Sequence, residues 1–407
     1  MEPMRDPHFM LNDHLLLLTK YTVKVTSTIG FTPMYIDTVR GKATVNNWSW
    51  ARAIHFWSWI FAYAAIVLPT HTIEVWLSSK DVRSLRSNKT VIYLFITNLF
   101  SWFFTLFLGL ATLKPLVVCQ LFNSLYKYIE TFPAKYIATR NLKQERIKTI
   151  QMEFLFAATT FVMVFVTTLF VLYIFLHPNA TPFPAYRVPI RLLSLPIYLV
   201  ACSWPGMFAY NFCAIFNVLV CNIIFYFFSV SPIIRDELRL GRSEYKTTNK
   251  LREPYHLVMN YRAIQILVKT FNLELGMFFV PGQMLLTQII LVCNVSLLFQ
   301  WDLFELNTKA FLALLSVTPL FGYAIFLWMA GLQYQGTVKT VNSWKLSHWN
   351  RRQDRMYMER VKKTCFPISF GDGKRYIINP KKVLQFINSV SRNTFRAIAM
   401  YGKVFGY

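Results

Sequence analysis

Six stretches of this chain run without a single Asp, Glu, Lys or Arg: Ala53 to Ile73, Thr90 to Leu113, Phe154 to Tyr186, Leu192 to Ile234, Leu275 to Trp301 and Ala310 to Val338. Each meets or exceeds the roughly 20 apolar residues that carry a helix across a hydrocarbon core of about 30 Å. A seventh segment, Val383 to Phe405, is less apolar and two-sided. On a helix, Gln385, Ser389, Arg392, Arg396 and Lys403 share a narrow arc, while Val383, Ile387, Val390, Ala397, Ile398, Tyr401 and Phe405 lie opposite. Charges in hydrocarbon are costly, so at membrane depth such a helix suits the wall of an aqueous path. A surface helix that never crosses would carry the same pattern. The pattern predicts an all-α polytopic membrane protein with seven transmembrane helices.

The loops between these segments set the orientation. If seven segments cross, only seven of the 43 lysines and arginines fall in the three loops of one side, and most of the others fall on the opposite side. Basic loops stay in the cytosol, so the N-terminus is predicted to be cytosolic and the C-terminus extracellular. Two glycosylation sequons, Asn88-Lys89-Thr90 and Asn179-Ala180-Thr181, fall in loops assigned to the outside by this independent criterion. The first fifty residues hold one short apolar run, Leu15 to Leu18, and no cleavable signal peptide is expected. The first span then acts as its own insertion signal, which fits a multi-pass protein of the plasma membrane.

Residues 1–51 are predicted to form a cytosolic N-terminal segment, residues 52–382 the first six helices and their loops, and residues 383–407 the seventh helix. The largest polar pieces are residues 231–274 and 339–382. Leu257, Ile264, Leu267 and Phe271 recur there at helical spacing, so the spans should continue inward as amphipathic helices that pack into a cytosolic base or lie on lipid. The uncharged run from Leu192 to Ile234 exceeds one perpendicular span and reads as a long tilted helix, kinked near Pro205.

Composition excludes several classes. With 55% hydrophobic, 17% aromatic and 15% charged residues, the chain cannot present a soluble surface at 407 residues. A formal charge of +24 would suggest nucleic acid in a soluble protein, but here it lies in loops flanking the membrane, where anionic lipid is the expected partner. The six cysteines avoid the outer loops and form no CxxC pair, and the seven histidines are scattered, so neither a disulfide framework, a metal nor a cofactor is expected. No Ser/His/Asp set, glycine-rich phosphate loop or HExxH occurs, and the chain does not read as an enzyme. Intramembrane carboxylates of the kind a proton-coupled transporter needs are missing as well.

The outer halves of the spans carry aromatic and weakly polar side chains: Tyr93, Phe95, Phe170, Tyr173, Tyr198, Trp204, Met207, Tyr210 and Gln288. Such a lining suits a small, largely apolar ligand held by shape and one or two hydrogen bonds. Aromatic side chains in membrane helices also serve packing and interface anchoring, and both roles fit these residues. The sharper ligand set is Tyr93, Phe170, Tyr173, Tyr198, Trp204, Met207 and Gln288.

Seven spans, a cytosolic N-terminus, a length near 400, a long fourth span, a large basic loop before the seventh and a short outer tail resemble the arthropod gustatory and odorant receptor superfamily. The resemblance implies a ligand-gated cation channel, a homo- or heterotetramer whose central pore is lined by the seventh helices, with a ligand pocket in the outer half of each subunit. That family often ends in Thr-Tyr, about five apolar residues, Gln and Phe. Here Met400-Tyr401-Gly402-Lys403-Val404-Phe405 keeps only the tyrosine, and a basic stripe replaces a neutral pore lining. The chain therefore looks like a divergent, gustatory-type member. A seven-helix G-protein-coupled receptor is the competing class, against which stand the inverted orientation and the missing Asp-Arg-Tyr and Asn-Pro-x-x-Tyr motifs. A membrane transporter is a further alternative.

Overall fold

The computed structural model of the protein describes residues 34–37, 42–45, 114–137, 222–299, 301–347, 349, 351–372 and 376–405, with single residues scattered through 50–172 and residue 220. Helices dominate: α1 (Pro115–Tyr136), α2 (residues 222–237), α3 (Pro254–Phe299), α4 (Leu306–Leu346), α5 (Arg352–Thr364) and α6 (Lys381–Phe405). Two short antiparallel hairpins depart from the all-α expectation. Strand β1 (Met34–Asp37) pairs with β2 (Lys42–Val45), Met34 opposite Val45, and β3 (Gly371–Asp372) pairs with β4 (Tyr376–Ile377).

The long helices α3 and α4, of 46 and 41 residues, form the spine of the described structure. At 1.5 Å per residue each is about 60–70 Å long, twice a hydrocarbon core, so each has an apolar half and a half that projects beyond it. Among the described residues, Phe279–Phe299 and Leu306–Leu346 are long and apolar enough to cross a membrane. In the apolar half the two helices share a polar contact, the Ser316 hydroxyl donating to Asn294 Oδ1 at 2.6 Å. A pair of this kind satisfies groups that lipid cannot. The first four predicted spans lie mostly outside the described residues.

The projecting halves carry the core. Leu257, Tyr261, Ile264 and Val268 of α3, spaced three or four apart, are buried against Val341 and Trp344 of α4, as amphipathic periodicity predicts. Trp344 stacks edge-on to Tyr261 at 5.0 Å, and its indole N–H donates to the carbonyl of Leu238 at 2.8 Å. Helix α2 reaches this layer through two widened π turns, Tyr226–Val230 and Ile233–Glu237, on either side of Pro232. Proline supplies no backbone N–H, so the regular ladder is interrupted there and re-forms with one residue more per turn. The Thr340 hydroxyl then donates to the carbonyl of Ile234 at 2.8 Å and fastens the end of α2 to α4.

Helix α1 closes one side, burying Phe122, Tyr126, Ile129, Phe132 and Tyr136 at helical spacing. Asn123 donates to the Ala43 carbonyl and accepts from the Ala43 N–H, both at 2.9 Å, so that one side chain finishes the edge of strand β2 as a third strand would. Glu237 organises the turn that follows α2. Its carboxylate accepts from the backbone N–H groups of Lys246 and Thr247 and from the Thr247 hydroxyl, at 2.7–3.4 Å.

After α5 the chain runs back along α3. Tyr261 donates to the Phe366 carbonyl at 2.8 Å, and Asn272 donates to the Ser369 carbonyl at 2.6 Å while accepting from the Gly371 N–H at 3.1 Å. The hairpin requires glycine at 371: its φ is +135° and a Cβ would fall 1.8 Å from the Tyr376 carbonyl oxygen. This return path delivers the chain to the start of α6.

Candidate functional site

The two sets of residues singled out in the sequence fare differently. Tyr93, Phe170, Tyr173, Tyr198, Trp204 and Met207, with the sequons at Asn88 and Asn179, lie outside the described residues. Gln288 is described: it is an exposed residue of α3, within the apolar half. Five residues earlier on the same helix, Gln283 is half-buried and hydrogen-bonded, accepting at Oε1 from Tyr376 of β4 at 2.8 Å and from Tyr323 of α4 at 3.2 Å. Sequence reasoning passed over Gln283. The signal was the same as for Gln288, an amide inside an apolar helix, which needs a partner wherever lipid or protein surrounds it.

The pore candidates all lie on α6, which begins at Lys381, two residues before the predicted Val383. Gln385, Ser389, Arg392 and Arg396 are exposed along one arc, and Lys403 belongs to the last turn. The opposite arc is held by the subunit's own helices: Phe386 and Val390 are buried, and Val383, Ala397 and Ile398 are half-buried. Ile387, expected on that inner face, is exposed. It belongs with Leu384 and Phe395, 72% and 71% exposed, to an apolar flank between the basic arc and the packed one. A helix with this cross-section offers cationic side chains to one neighbourhood and apolar ones to the next.

Three contacts place the first turns of α6. The Tyr323 ring meets Phe386 edge-on at 5.0 Å, and the Lys382 ammonium lies 5.0 Å over the Tyr376 ring. Between α4 and the turn before α6, the backbone of residues 379–380 sits against Gly331, where a Cβ would lie 2.7 Å from the Pro380 nitrogen. Burial pushes the Tyr376 hydroxyl above its ordinary pKa, with Tyr323 beside it acting in the opposite sense, so it stays a donor across the neutral range.

Three titratable groups of the basic layer, Cys119, Cys365 and Asp236, are tuned by their packing. Burial raises the Cys119 thiol to about 12, and it raises Cys365 against the opposing pull of Arg262, which makes both poor nucleophiles. Asp236 is pushed up by burial, but hydrogen bonds and charge from Arg235 and Arg242 outweigh that and hold it below the usual carboxylate range.

The geometry thus defines a helical membrane protein whose long spans rise from a packed basic layer and whose last helix is amphipathic. No family model and no curated protein matches the chain. Among solved structures it is similar to the insect olfactory receptor OR5 from Machilis hrabei, with a TM-score of 0.65 at 10% identity, over 94% of this chain and 98% of that one. The same receptor in complex with eugenol matches with a TM-score of 0.62 at 9% identity, over 95% and 99% of the two chains. The fold of this protein is that of an insect olfactory receptor along nearly its whole length, and the resemblance seen in the sequence holds at the level of fold.

Proposed function

We propose that this chain is a chemosensory receptor of the insect gustatory and odorant receptor superfamily, and that it acts as a ligand-gated ion channel for small, largely apolar molecules. The observation that carries the reading is the fold: a likeness over 94% of the chain to a receptor that has been seen in complex with eugenol. The basic layer supports it, since long spans fastened together at one end form a fixed base from which an amphipathic last helix projects. In this reading seven helices cross the plasma membrane, the N-terminus and the basic layer are cytosolic, and Asn88 and Asn179 face outward. Tyr93, Phe170, Tyr173, Tyr198, Trp204, Met207 and Gln288 surround the ligand. Four subunits, alike or mixed, bring their α6 helices around one pore, with Gln385, Ser389, Arg392, Arg396 and Lys403 toward water. A ring of like positive charges attracts anions and repels cations, so this pore should differ in selectivity from a neutral one.

The test combines topology with current. Epitope tags at both termini of the full chain, stained on intact cells, should show the C-terminal tag and not the N-terminal one. Currents evoked by a panel of small apolar volatiles should persist in excised patches without added nucleotide. Staining of the N-terminal tag on intact cells, or responses that vanish when G-protein signalling is blocked, would overturn the proposal.

A further inference from the structure

Packing holds the inner arc of α6, with Phe386 and Val390 buried. Among its described side chains, the buried ones, Phe386 and Val390, belong to the first half, and the inward Ala397 and Ile398 are half-buried. Apolar contact selects the face a helix presents but, being non-directional, opposes small rotations about its axis only weakly. Hydrogen bonds oppose them more strongly, because their geometry is narrow. The first turns of α6 border one such set. Gln283 Oε1 accepts from two tyrosines on different elements, Tyr376 on the hairpin and Tyr323 on α4. Each tyrosine in turn touches α6, Tyr376 through Lys382 and Tyr323 through Phe386. Close by, Gly331 admits the backbone of residues 379–380 against α4, so the entry to α6 has little freedom to shift.

We propose that Gln283 is a positioning residue for α6: one amide oxygen of α3 joins the two tyrosines into a latch that holds the first two turns of α6 in the resting orientation. Movement of α6 then requires the latch to slip, and the second half of the helix follows. This rests on the reading that α6 lines the conduction path. The latch itself is a statement about the helix and is testable without current.

The experiment places a reporter cysteine at Val390, a residue only 5% exposed, in the full-length chain in cell membranes. The labelling rate of V390C by a small thiol reagent is compared in the parent and in Tyr376→Phe, Tyr323→Phe, the double variant and Gln283→Leu. Each lost hydrogen bond should speed labelling by about 2- to 10-fold, the range a single bond spans. Because both bonds end on one oxygen, the double variant should show less than the product of the single effects. The same variants should lower the ligand concentration needed for half-maximal current. If labelling accelerates and no variant or parent conducts, the latch stands and the channel reading falls. Labelling rates that stay at the parent value in Gln283→Leu and in both tyrosine variants overturn the latch, whatever the currents do. Should V390C fail to reach the surface, A397C, about two turns further on, serves as reporter under the same criteria.

Discussion

Two tryptophans sixteen residues apart on α4 meet opposite surroundings. Trp344 is buried and its indole N–H is hydrogen-bonded, whereas Trp328 is 54% exposed, in company with Val317, Phe321 and Ile325. One helix therefore obeys two solvents. At the basic end water drives apolar groups together, and the layer of α1, α2, α3, α4 and α5 has a core in which polar side chains find partners across elements. In the apolar half no such drive exists, because lipid is as apolar as phenylalanine, and helices meet through specific contacts such as Ser316 with Asn294. Exposure of a large apolar side chain is a cost in the first half and none in the second.

The sharpest way to break this contrast is to truncate both tryptophans. Trp344→Ala removes a packed ring and a hydrogen bond and should destabilise the protein by about 3–5 kcal/mol. Trp328→Ala, facing outward, should change stability little. Thermal unfolding of the detergent-solubilised protein, read by its elution as a monodisperse peak after heating, separates the two. Equal losses would mean that the apolar half is covered by protein to the same degree as the base.

A second pair tests how α6 is seated. Gly331 and Gly322 lie on the same helix, but a Cβ at Gly331 collides with backbone at residues 379–380, and at Gly322 it meets open space. Backbone cannot swing aside as a flexible side chain can. Gly331→Ala should therefore cost about 1–3 kcal/mol by overpacking. Gly322→Ala should be neutral or favourable by up to about 1 kcal/mol, through helix propensity. The same unfolding measurement applies, and a harmless Gly331→Ala would show that α6 does not rest on α4 at this point.

How far the sequence announces these features depends on their range. The helices α3 and α4 were legible because uncharged runs and the spacing of Leu257, Ile264, Leu267 and Phe271 are local signals repeated over many turns. The two-sided cross-section of α6 was legible for the same reason, although Ile387 proved to lie on the exposed flank, since periodicity gives an arc and not which part of it a neighbour covers. The contacts that fasten the elements were not legible. Asn123 with Ala43, Thr340 with Ile234 and Gln283 with Tyr376 join residues about 80 to 106 apart, and nothing in their own neighbourhoods marks one asparagine or glutamine among many. The hairpin β3–β4 has two-residue strands, too short for alternation to register. Its local clues are Gly371 and the turn-forming pair Asp372-Gly373, which the reading of uncharged runs and helical spacing passed over.

The smallest change in stability is expected at the residue proposed to matter most for conduction. Arg396 is exposed on α6, away from the face held by Phe386 and Val390, so Arg396→Gln should leave the unfolding temperature and surface expression unchanged. Its guanidinium is one of a row with Arg392, and in the proposed ring of subunits that row would set a positive potential along the path. Replacing it by a neutral amide should shift the reversal potential toward cation permeability, or change unitary conductance, while the ligand concentration for half-maximal response stays fixed. Substituted cysteines at positions 392, 396 and 403 should react with water-soluble thiol reagents applied to conducting cells. If all three are inert while currents persist, α6 does not line the path, and its basic arc must face lipid headgroups or another protein surface instead.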